Sequence, residues 1–215
     1  MTDLAADRQN ALQLIQVSRE TATRLDRLVD LLRQWQRTTN LVAASTLPKV
    51  WTRHVADSLQ LLGLAPHARH WVDLGSGGGF PGLVLACALA EQPDGKVHLV
   101  ESQGKKCAFL REATRTIALP ATVHCERIES FVQNFSERAD VVTARALAPL
   151  STLCGYVEPL LKRGAQALLP KGQDVEAELT QASRYWNIAA DLVPSQTEPK
   201  ARIVVISALE RRSVR

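Results

Sequence analysis

Hydrophobic residues recur with helical spacing along the first 65 residues of the chain. Between Ser18 and Trp35, apolar side chains fall at positions 25, 28, 29, 32 and 35, which lie on one face of a helix. Thr38-Thr39-Asn40 interrupts this pattern. Pro48 is then expected to open a second helix, with apolar positions 51, 55, 59 and 62, that ends at Gly63.

After residue 70 the pattern changes to short apolar runs that alternate with helical segments. We predict strands over residues 71–74, 96–101, 121–125, 139–144, 165–169, 188–193 and 202–208, and helices from Pro81 to about Gln92 and over 105–119, 150–162 and 175–186. Strands that alternate with helices of this length are typical of βαβ units and a parallel sheet. The predicted fold class is therefore α/β, with a mostly parallel seven-stranded sheet and helices on both faces.

The chain divides into two parts. Residues 1–65 are predicted to be an N-terminal helical extension, and residues 66–215 to be the sheet domain. Because no linker rich in Gly, Ser or Pro separates them, we expect the extension to pack on the domain.

Composition places the chain among ordinary globular proteins. It has 215 residues, of which 46% are hydrophobic and 22% are charged. The net charge of 26 − 22 = +4 permits a nucleic-acid partner without requiring one. Residues 1–10 lack the apolar segment of a signal peptide, and the longest apolar run, Phe80 to Ala90, is about half a membrane span. We therefore expect a cytoplasmic protein with no membrane contact.

The four cysteines do not form a metal-binding pattern. Cys87, Cys107, Cys125 and Cys154 are separated by 20, 18 and 29 residues, which excludes the short spacing of a zinc knuckle or a redox pair. We predict reduced thiols, most of them in the core, and no metal site.

A glycine-rich loop follows the first predicted strand. Five of the 11 glycines lie between positions 75 and 82, in the sequence Val72-Asp-Leu-Gly-Ser-Gly-Gly-Gly-Phe-Pro-Gly82. Glycine permits a positive φ angle and a close approach of a ligand to the backbone, and open α/β sheets bind ligands at the carboxyl ends of their strands. We interpret this segment as a cofactor-binding loop.

Two cofactors fit the loop. Glycines 77, 79 and 82 match G-x-G-x-x-G, the dinucleotide fingerprint. Alternatively, Asp73 with Gly75, Gly77 and Gly79 resembles the first motif of class I S-adenosylmethionine-dependent methyltransferases, where an acid suits a cofactor with a sulfonium and an ammonium group. Glu101, at the end of the second strand, is positioned to accept hydrogen bonds from ribose hydroxyls in either class.

Further motifs occur in a specific order along the chain. They are Asn40-Leu-Val42, Arg53-His-x-x-Asp-Ser-Leu59, Phe80-Pro-Gly82, Glu101-Ser-x-x-Lys-Lys-x-x-Phe-Leu110, Arg127-Ile-Glu129 and Ala144-Arg-Ala-Leu-Ala148. Together with the loop they resemble the bacterial small-subunit ribosomal RNA guanine-N7 methyltransferase family, also called the glucose-inhibited division protein B family. The resemblance extends from about residue 35 to residue 172 and is weak beyond residue 173.

The resemblance implies a class I methyltransferase fold with an N-terminal helical extension. It also implies methyl transfer from S-adenosylmethionine to N7 of one guanine in 16S ribosomal RNA, with the small ribosomal subunit as partner. Carried over by motif, the cofactor contacts fall on Gly75, Phe80, Ile128, Glu129 and Arg145. Position 144 usually carries serine in this family and here carries alanine. We expect a monomer.

The implied reaction needs no general base, because guanine N7 carries a lone pair and no proton. The rate must then come from orientation and desolvation. Arg145 follows the fourth strand and is the candidate catalytic residue, in a positioning role. His54 and Asp57 lie on one helical face and either line the entrance or pack against the core. The Asn/Asp-Pro-Pro-Tyr motif of amino-group methyltransferases is absent, and Cys154 is too distant to be a cytosine-methylating nucleophile.

Two other functions remain open at this stage. One is a nicotinamide-dependent oxidoreductase that uses the G-x-G-x-x-G match, and the other is a non-catalytic RNA-binding protein. Lys105 and Lys106 at a helix start, and the basic tail with Arg211, Arg212 and Arg215, are candidate phosphate contacts.

Overall fold

The computed structural model describes residues 3–212, which form one sheet with helices on both faces. The α-helices are α1 (Asp3–Leu14), α2 (Arg19–Trp35), α3 (Asp57–Leu64), α4 (Gly82–Leu89), α5 (Gly104–Ile117), α6 (Ile128–Asn134), α7 (Leu150–Leu161) and α8 (Val175–Ala182). The strands are β1 (His70–Leu74), β2 (Lys96–Glu101), β3 (Ala121–Cys125), β4 (Val141–Thr143), β5 (Gln166–Lys171), β6 (Trp186–Pro194) and β7 (Arg202–Arg211).

The sheet has seven strands in the order β3-β2-β1-β4-β5-β7-β6. Strands β1 to β5 are parallel, whereas β7 runs antiparallel to both β5 and β6. The chain first builds outward from β1 to β3 and then returns to place β4 on the other side of β1. The carboxyl ends of β1 and β4 therefore flank the switch point, where sheets of this kind bind their ligands.

Each face of the sheet carries its own hydrophobic core. Successive side chains of β1 point to opposite faces of the sheet and so belong to different cores. Trp71 packs with residues of α2, α4 and α5, whereas Val72 packs with residues of α6, α7 and α8. Both side chains are fully buried. No helix within residues 3–212 is long and apolar enough to cross a membrane.

The prediction of the helix at 18–35 is confirmed, and Ser18 is its N-cap, since its hydroxyl accepts a hydrogen bond from the Thr21 amide at 2.9 Å. The prediction of one helix from Pro48 is wrong in detail. The chain forms a 3₁₀ turn over Ala44–Lys49, a π-helical segment over Trp51–Ala56 and then α3. Gly63 does not end this helix, because its backbone remains right-handed and α3 continues to Leu64.

Several other boundaries differ from the sequence predictions. The helix predicted to reach Trp186 ends at Ala182, because the Trp186 ring is buried in the core as the first residue of β6. The helix after Pro81 ends at Leu89, and β4 has three residues where six were predicted. Helix α6 was not predicted, since its seven residues are too short to show a periodicity.

Asp7, in α1, holds the π-helical segment in place. Its carboxylate accepts hydrogen bonds from the backbone amides of Trp51, at 2.8 Å, and Thr52, at 3.3 Å. These amides belong to the first turn of the segment and have no partner within it.

We expect Asp7→Ala to lower the free energy of unfolding by about 1–2 kcal/mol, because such caps contribute roughly this amount. Urea denaturation followed by circular dichroism measures the change. Asp30→Ala, which removes an exposed carboxylate from α2, is the control and should leave stability near that of the wild type. Equal effects of the two substitutions would contradict the role of Asp7.

Candidate active site

A cleft of about 680 Å³ lies at the carboxyl ends of β1, β2 and β4. Its volume is in the usual range for pockets that hold a small molecule or a cofactor. Seven of the eight residues predicted from the sequence line it, namely Gly75, Gly77, Phe80, Glu101, Ile128, Glu129 and Arg145. The structure thus brings together residues from four separate segments of the chain.

The glycine loop forms the floor of this cleft. Gly75 and Gly77 have φ angles of +71° and +54°, in the left-handed region that favours glycine. The amides of Gly75 and Ser76 both donate to the Val100 carbonyl, at 2.8 and 2.9 Å, which fixes the loop to the end of β2. A β-carbon on Gly75 would lie 2.7 Å from Cδ1 of Leu147, so this loop also touches the segment that carries Arg145.

Asp73 lies beneath the loop and does not line the cleft. Its Oδ2 accepts a hydrogen bond from the Gly82 amide at 3.0 Å, and a β-carbon at Gly82 would lie 2.5 Å from the same oxygen. Burial raises the pKa of this carboxyl group to about 6, although the Gly82 amide and Arg145 oppose the shift. Asp73 therefore shapes the loop, and its contact with a cofactor stays a prediction.

Glu101 joins the loop to the start of α5. Its Oε2 accepts a hydrogen bond from the Gly77 amide at 2.9 Å, and its Oε1 accepts one from the Gln103 amide at 2.8 Å. The residue is 7% exposed and faces the cleft. Each carboxylate oxygen keeps a second acceptor site, so the group can still bind the hydroxyls of a ribose.

We expect Glu101→Gln to weaken the binding of S-adenosylhomocysteine at least about tenfold, because hydrogen bonds to a charged group are worth about 1.5–3 kcal/mol. The glutamine side chain has only one acceptor atom for two backbone amides and the ribose. Isothermal titration calorimetry measures the effect, with Glu112→Gln on the outer face of α5 as the control. An unchanged dissociation constant would remove Glu101 from the ribose site.

Arg145 lies two residues beyond β4 and contacts side chains from the helical segments that precede β1. Its Nη2 donates to Nδ1 of His54 at 2.7 Å, and its Nη1 is 3.4 Å from Oδ2 of Asp57. The guanidinium carbon is 5.6 Å from the centroid of the Phe80 ring. The sequence showed that His54 and Asp57 share a helical face, but it did not show that this face meets Arg145.

The contact with Arg145 determines the protonation of His54. Because a guanidinium can only donate, Nδ1 of His54 must be unprotonated, and Nε2 then carries the proton and lies 2.8 Å from the Thr46 hydroxyl. Burial, together with the charges of Arg145 and Arg53, lowers the pKa of His54 to about 3. The ring stacks on Phe80 with centroids 4.9 Å apart. His54 is therefore a neutral, fixed acceptor near neutral pH.

A second cleft, also of about 680 Å³, adjoins the first. The two share Arg53, Arg145 and Ala146 as lining residues. The second cleft is lined by basic side chains, among them Lys171, Lys200 and Arg202, and by acidic ones, among them Asp57 and Glu198. Arg145 thus stands at the junction of two cavities.

The segment after β4 is also held from the side of β5. Nζ of Lys171 donates to the Ala148 carbonyl at 3.1 Å and lies 2.6 Å from Oε2 of Glu178. The same Glu178 oxygen accepts a hydrogen bond from the Leu150 amide at 2.7 Å, at the first turn of α7. The position of Arg145 is therefore fixed from two directions. Nothing in the sequence pattern had indicated a role for Lys171 or Glu178.

The other candidate residues have varied positions. Lys106 lines the first cleft and Lys105 does not. Cys87, Cys107 and Cys154 are buried as expected, whereas Cys125 is exposed, and all four are free. Arg211 and Arg212 lie at the end of β7 and just beyond it, and Arg215 lies outside the described residues.

The fold and the cleft define a class I methyltransferase whose cofactor is S-adenosylmethionine. The chain is similar to an O-methyltransferase from Bacillus cereus in complex with SAH, with 15% identity and a TM-score of 0.60 over 94% of this chain and 96% of that one. It is also similar to the O-methyltransferase TomG from Streptomyces achromogenes in complex with SAM, with 12% identity and a TM-score of 0.60 over 96% and 99% of the two chains. At these identities the likeness concerns the fold.

The sequence model of the family described as rRNA small subunit methyltransferase G matches residues 21–204. A ribosomal RNA small subunit methyltransferase G from Bradyrhizobium sp. (strain ORS 278) is 61% identical over 98% of this chain and 95% of its own length. One of the same name from Nitrobacter hamburgensis is 59% identical over 97% and 80%. The chain belongs to this family.

Family membership confirms the resemblance seen in the motifs and shows that it is longer than they indicated. The match continues to residue 204, beyond the weak region after residue 173. The oxidoreductase and the non-catalytic alternatives are therefore wrong. The G-x-G-x-x-G match at positions 77, 79 and 82 is fortuitous, since the structure uses Gly82 to admit the buried Asp73 carboxylate.

Proposed function

We propose that this enzyme transfers the methyl group of S-adenosylmethionine to N7 of a specific guanine in 16S ribosomal RNA. The observation that carries the proposal is the position of Arg145, which is immobilised at the junction of a cofactor-sized cleft and a second cleft that contains Lys200 and Arg202. Such an arrangement suits a transfer between two bound molecules. The identity of the methyl acceptor in this proposal rests on family membership.

The first cleft fits S-adenosylmethionine. The left-handed turn at Gly75 and Gly77 leaves backbone exposed along the floor, and Glu101 is placed to hold the ribose hydroxyls. Ile128 and Glu129, which begin α6, line the same cleft and would contact the cofactor there. When bound, the cofactor supplies an electrophilic methyl group on a sulfonium.

The residues around Arg145 support a reaction that needs no proton transfer. Guanine N7 attacks the methyl carbon through its lone pair, the sulfur–carbon bond breaks, and no proton leaves the base at this step. His54 is not available as a base, since its Nδ1 is bound to Arg145 and its pKa is about 3. The role left for the protein is orientation, which can contribute about 7–11 kcal/mol to a reaction of two bound groups.

The acceptor is proposed to enter from the second cleft. Lys200 and Arg202 would meet the phosphates of the RNA there, and the Arg145 guanidinium would lie between the base and the cofactor. We further propose that the enzyme acts as a cytoplasmic monomer on the small ribosomal subunit, and that residues 1–65 form an extension whose function is to immobilise Arg145 through His54 and Asp57.

The test is to map N7-methylguanine in 16S RNA from cells with and without this protein, by mass spectrometry of nuclease fragments. One modified guanine should be lost in its absence and restored by the wild-type chain. Purified 16S RNA and assembled subunits, incubated with enzyme and labelled cofactor, show which form is the substrate. Labelled methyl groups at a position other than N7 would refute the proposed acceptor atom.

A further inference from the structure

An exposed aromatic side chain lies outside the cofactor cleft. Tyr185, between α8 and β6, is 59% exposed, and among residues 3–212 only Leu14 is another large hydrophobic side chain with comparable exposure. A single exposed aromatic residue is not unusual by itself. Tyr185, however, lies beside a cavity that two arginine side chains also line.

Tyr185 borders a shallow cavity of about 480 Å³. Two arginines, Arg211 and Arg212, line the cavity together with Trp186 and with residues of the first turns of α7. They meet there because the first residue of β6 pairs with the last residue of β7, so that Trp186 lies opposite Arg211. We call Tyr185, Trp186, Arg211 and Arg212 the distal aromatic surface.

The arginines of this surface are held in place but keep free donors. The guanidinium carbon of Arg211 lies 5.4 Å from the centroid of the Trp186 ring, and Nε of Arg212 donates to Oδ1 of Asn187 at 2.7 Å. The Arg212 amide also donates to the Tyr185 carbonyl at 2.9 Å. Within the described part of the chain, neither guanidinium is in an ion pair. Because each guanidinium has five N–H groups, most of them remain available to an anion.

We propose that the distal aromatic surface binds an unpaired nucleotide of the ribosomal RNA outside the catalytic centre. The base stacks on the exposed ring of Tyr185, and the adjacent phosphate is bound by Arg211 and Arg212. The combination of an exposed aromatic face with cations that lack acidic partners is the one that single-stranded RNA requires. The inference rests on the proposed function, because it takes the same RNA as ligand.

The location agrees with this assignment. Helix α7 begins at Leu150, five residues after Arg145, and its residues Ser151, Thr152 and Gly155 line the cavity. At about 1.5 Å per residue, Leu150 and Gly155 are separated by about 7.5 Å along the helix. Arg202, which lines the second cleft, and Arg211 are 211 − 202 = 9 residues apart on β7, at most about 30 Å, so an RNA substrate of that length can contact both places.

The experiment compares Tyr185→Ala with Tyr185→Phe. Methylation kinetics with the RNA substrate and filter binding to a 16S RNA fragment are measured for both. We expect the alanine variant to raise KM and the RNA dissociation constant roughly tenfold, since stacking on one base is worth about 1–3 kcal/mol, with kcat and S-adenosylhomocysteine affinity unchanged. The phenylalanine variant keeps the ring and should behave as the wild type. Leu14→Ala, at the other exposed hydrophobic side chain, is the control.

Arg212→Ala tests the phosphate contact and stands in if the alanine variant at 185 does not fold. It should reduce the slope of log KM against log salt by about 0.7, the value for one phosphate of a single strand.

Unchanged RNA affinity in both variants, while wild-type enzyme still forms N7-methylguanine, would overturn this inference and leave the proposed function intact. Weaker RNA binding by the variants supports the surface even if the methylated atom proves different. Impaired activity on assembled subunits with unchanged binding to naked RNA would assign the surface to a ribosomal protein and overturn the RNA assignment.

Discussion

Replacing Gly75 with valine is expected to abolish the binding of S-adenosylmethionine. Gly75 has a φ of +71°, a conformation that costs an L-residue about 1–2 kcal/mol and a β-branched residue more. The added β-carbon would also lie 2.7 Å from Leu147, two residues from Arg145. Because the loop is the floor of the cleft, its displacement removes the backbone surface on which the cofactor lies. Calorimetry with S-adenosylhomocysteine should detect no binding.

Thermal unfolding of the variant must remain cooperative for this result to concern the site. Gly63→Val is the matched control, because an added β-carbon there meets no atom within 4 Å and Gly63 lies in α3, away from the first cleft. If the valine variant fails to fold, Gly75→Ala keeps the test open with a smaller side chain and an expected loss of affinity in the same direction. Wild-type affinity in a folded Gly75→Val protein would show that the cofactor binds elsewhere.

Arg145→Ala is expected to reduce the single-turnover rate of methyl transfer roughly a hundredfold or more, since small misplacements of oriented groups cost this much. The affinity for the RNA substrate should fall by a much smaller factor, because RNA binding depends on many phosphate contacts. The substitution also removes the cation from a buried group of acceptors at His54 and Asp57, so we expect a loss of stability of about 3 kcal/mol. The rate must therefore be measured at a temperature where the variant is folded, with RNA and cofactor saturating, beside filter binding on the same RNA.

Two variants separate the chemistry of Arg145 from its structural role. Arg145→Lys keeps a positive charge but loses the planar guanidinium that reaches His54 and Asp57 together. Its single-turnover rate of methyl transfer should therefore remain as low as that of Arg145→Ala. Asp57→Asn keeps the size of the carboxyl group and weakens the hold on the guanidinium at 3.4 Å, so it should lower kcat by a larger factor than it lowers the affinity for S-adenosylhomocysteine. A wild-type rate for Arg145→Ala at saturation would place the reaction centre elsewhere along the cleft.

The local sequence was sufficient to predict the cofactor loop. Gly75, Gly77 and Glu101 were found because each belongs to a short continuous motif at the end of a predicted strand, where the fold class itself places a ligand. The same reasoning predicted all seven strands and the mostly parallel sheet, since binary patterning with period two or 3.6 is a property of neighbouring residues. Asp73 was identified by the same motif, but the structure uses its carboxylate to bind Gly82 below the loop.

Boundaries and conformations within the elements required the tertiary structure. The π-helical segment at 51–56 depends on Asp7, which lies more than 40 residues earlier and whose role no local pattern reveals. Trp186 fits either the end of a helix or the start of a strand by its neighbours alone. The packing of its ring against the core decides for β6.

The sequence by itself determined the fold class, the cofactor loop and the family, because these depend on motifs and periodicities that are local in the chain. Only the tertiary structure decided how Arg145 is held. His54 and Asp57, which contact its guanidinium, lie some 90 positions before Arg145 in the chain. Lys171 and Glu178 hold the segment that follows Arg145 from the side of β5. Contacts between segments that are remote in sequence carry no local signature, because the sheet order, with β4 inserted beside β1, is what brings these side chains to one place.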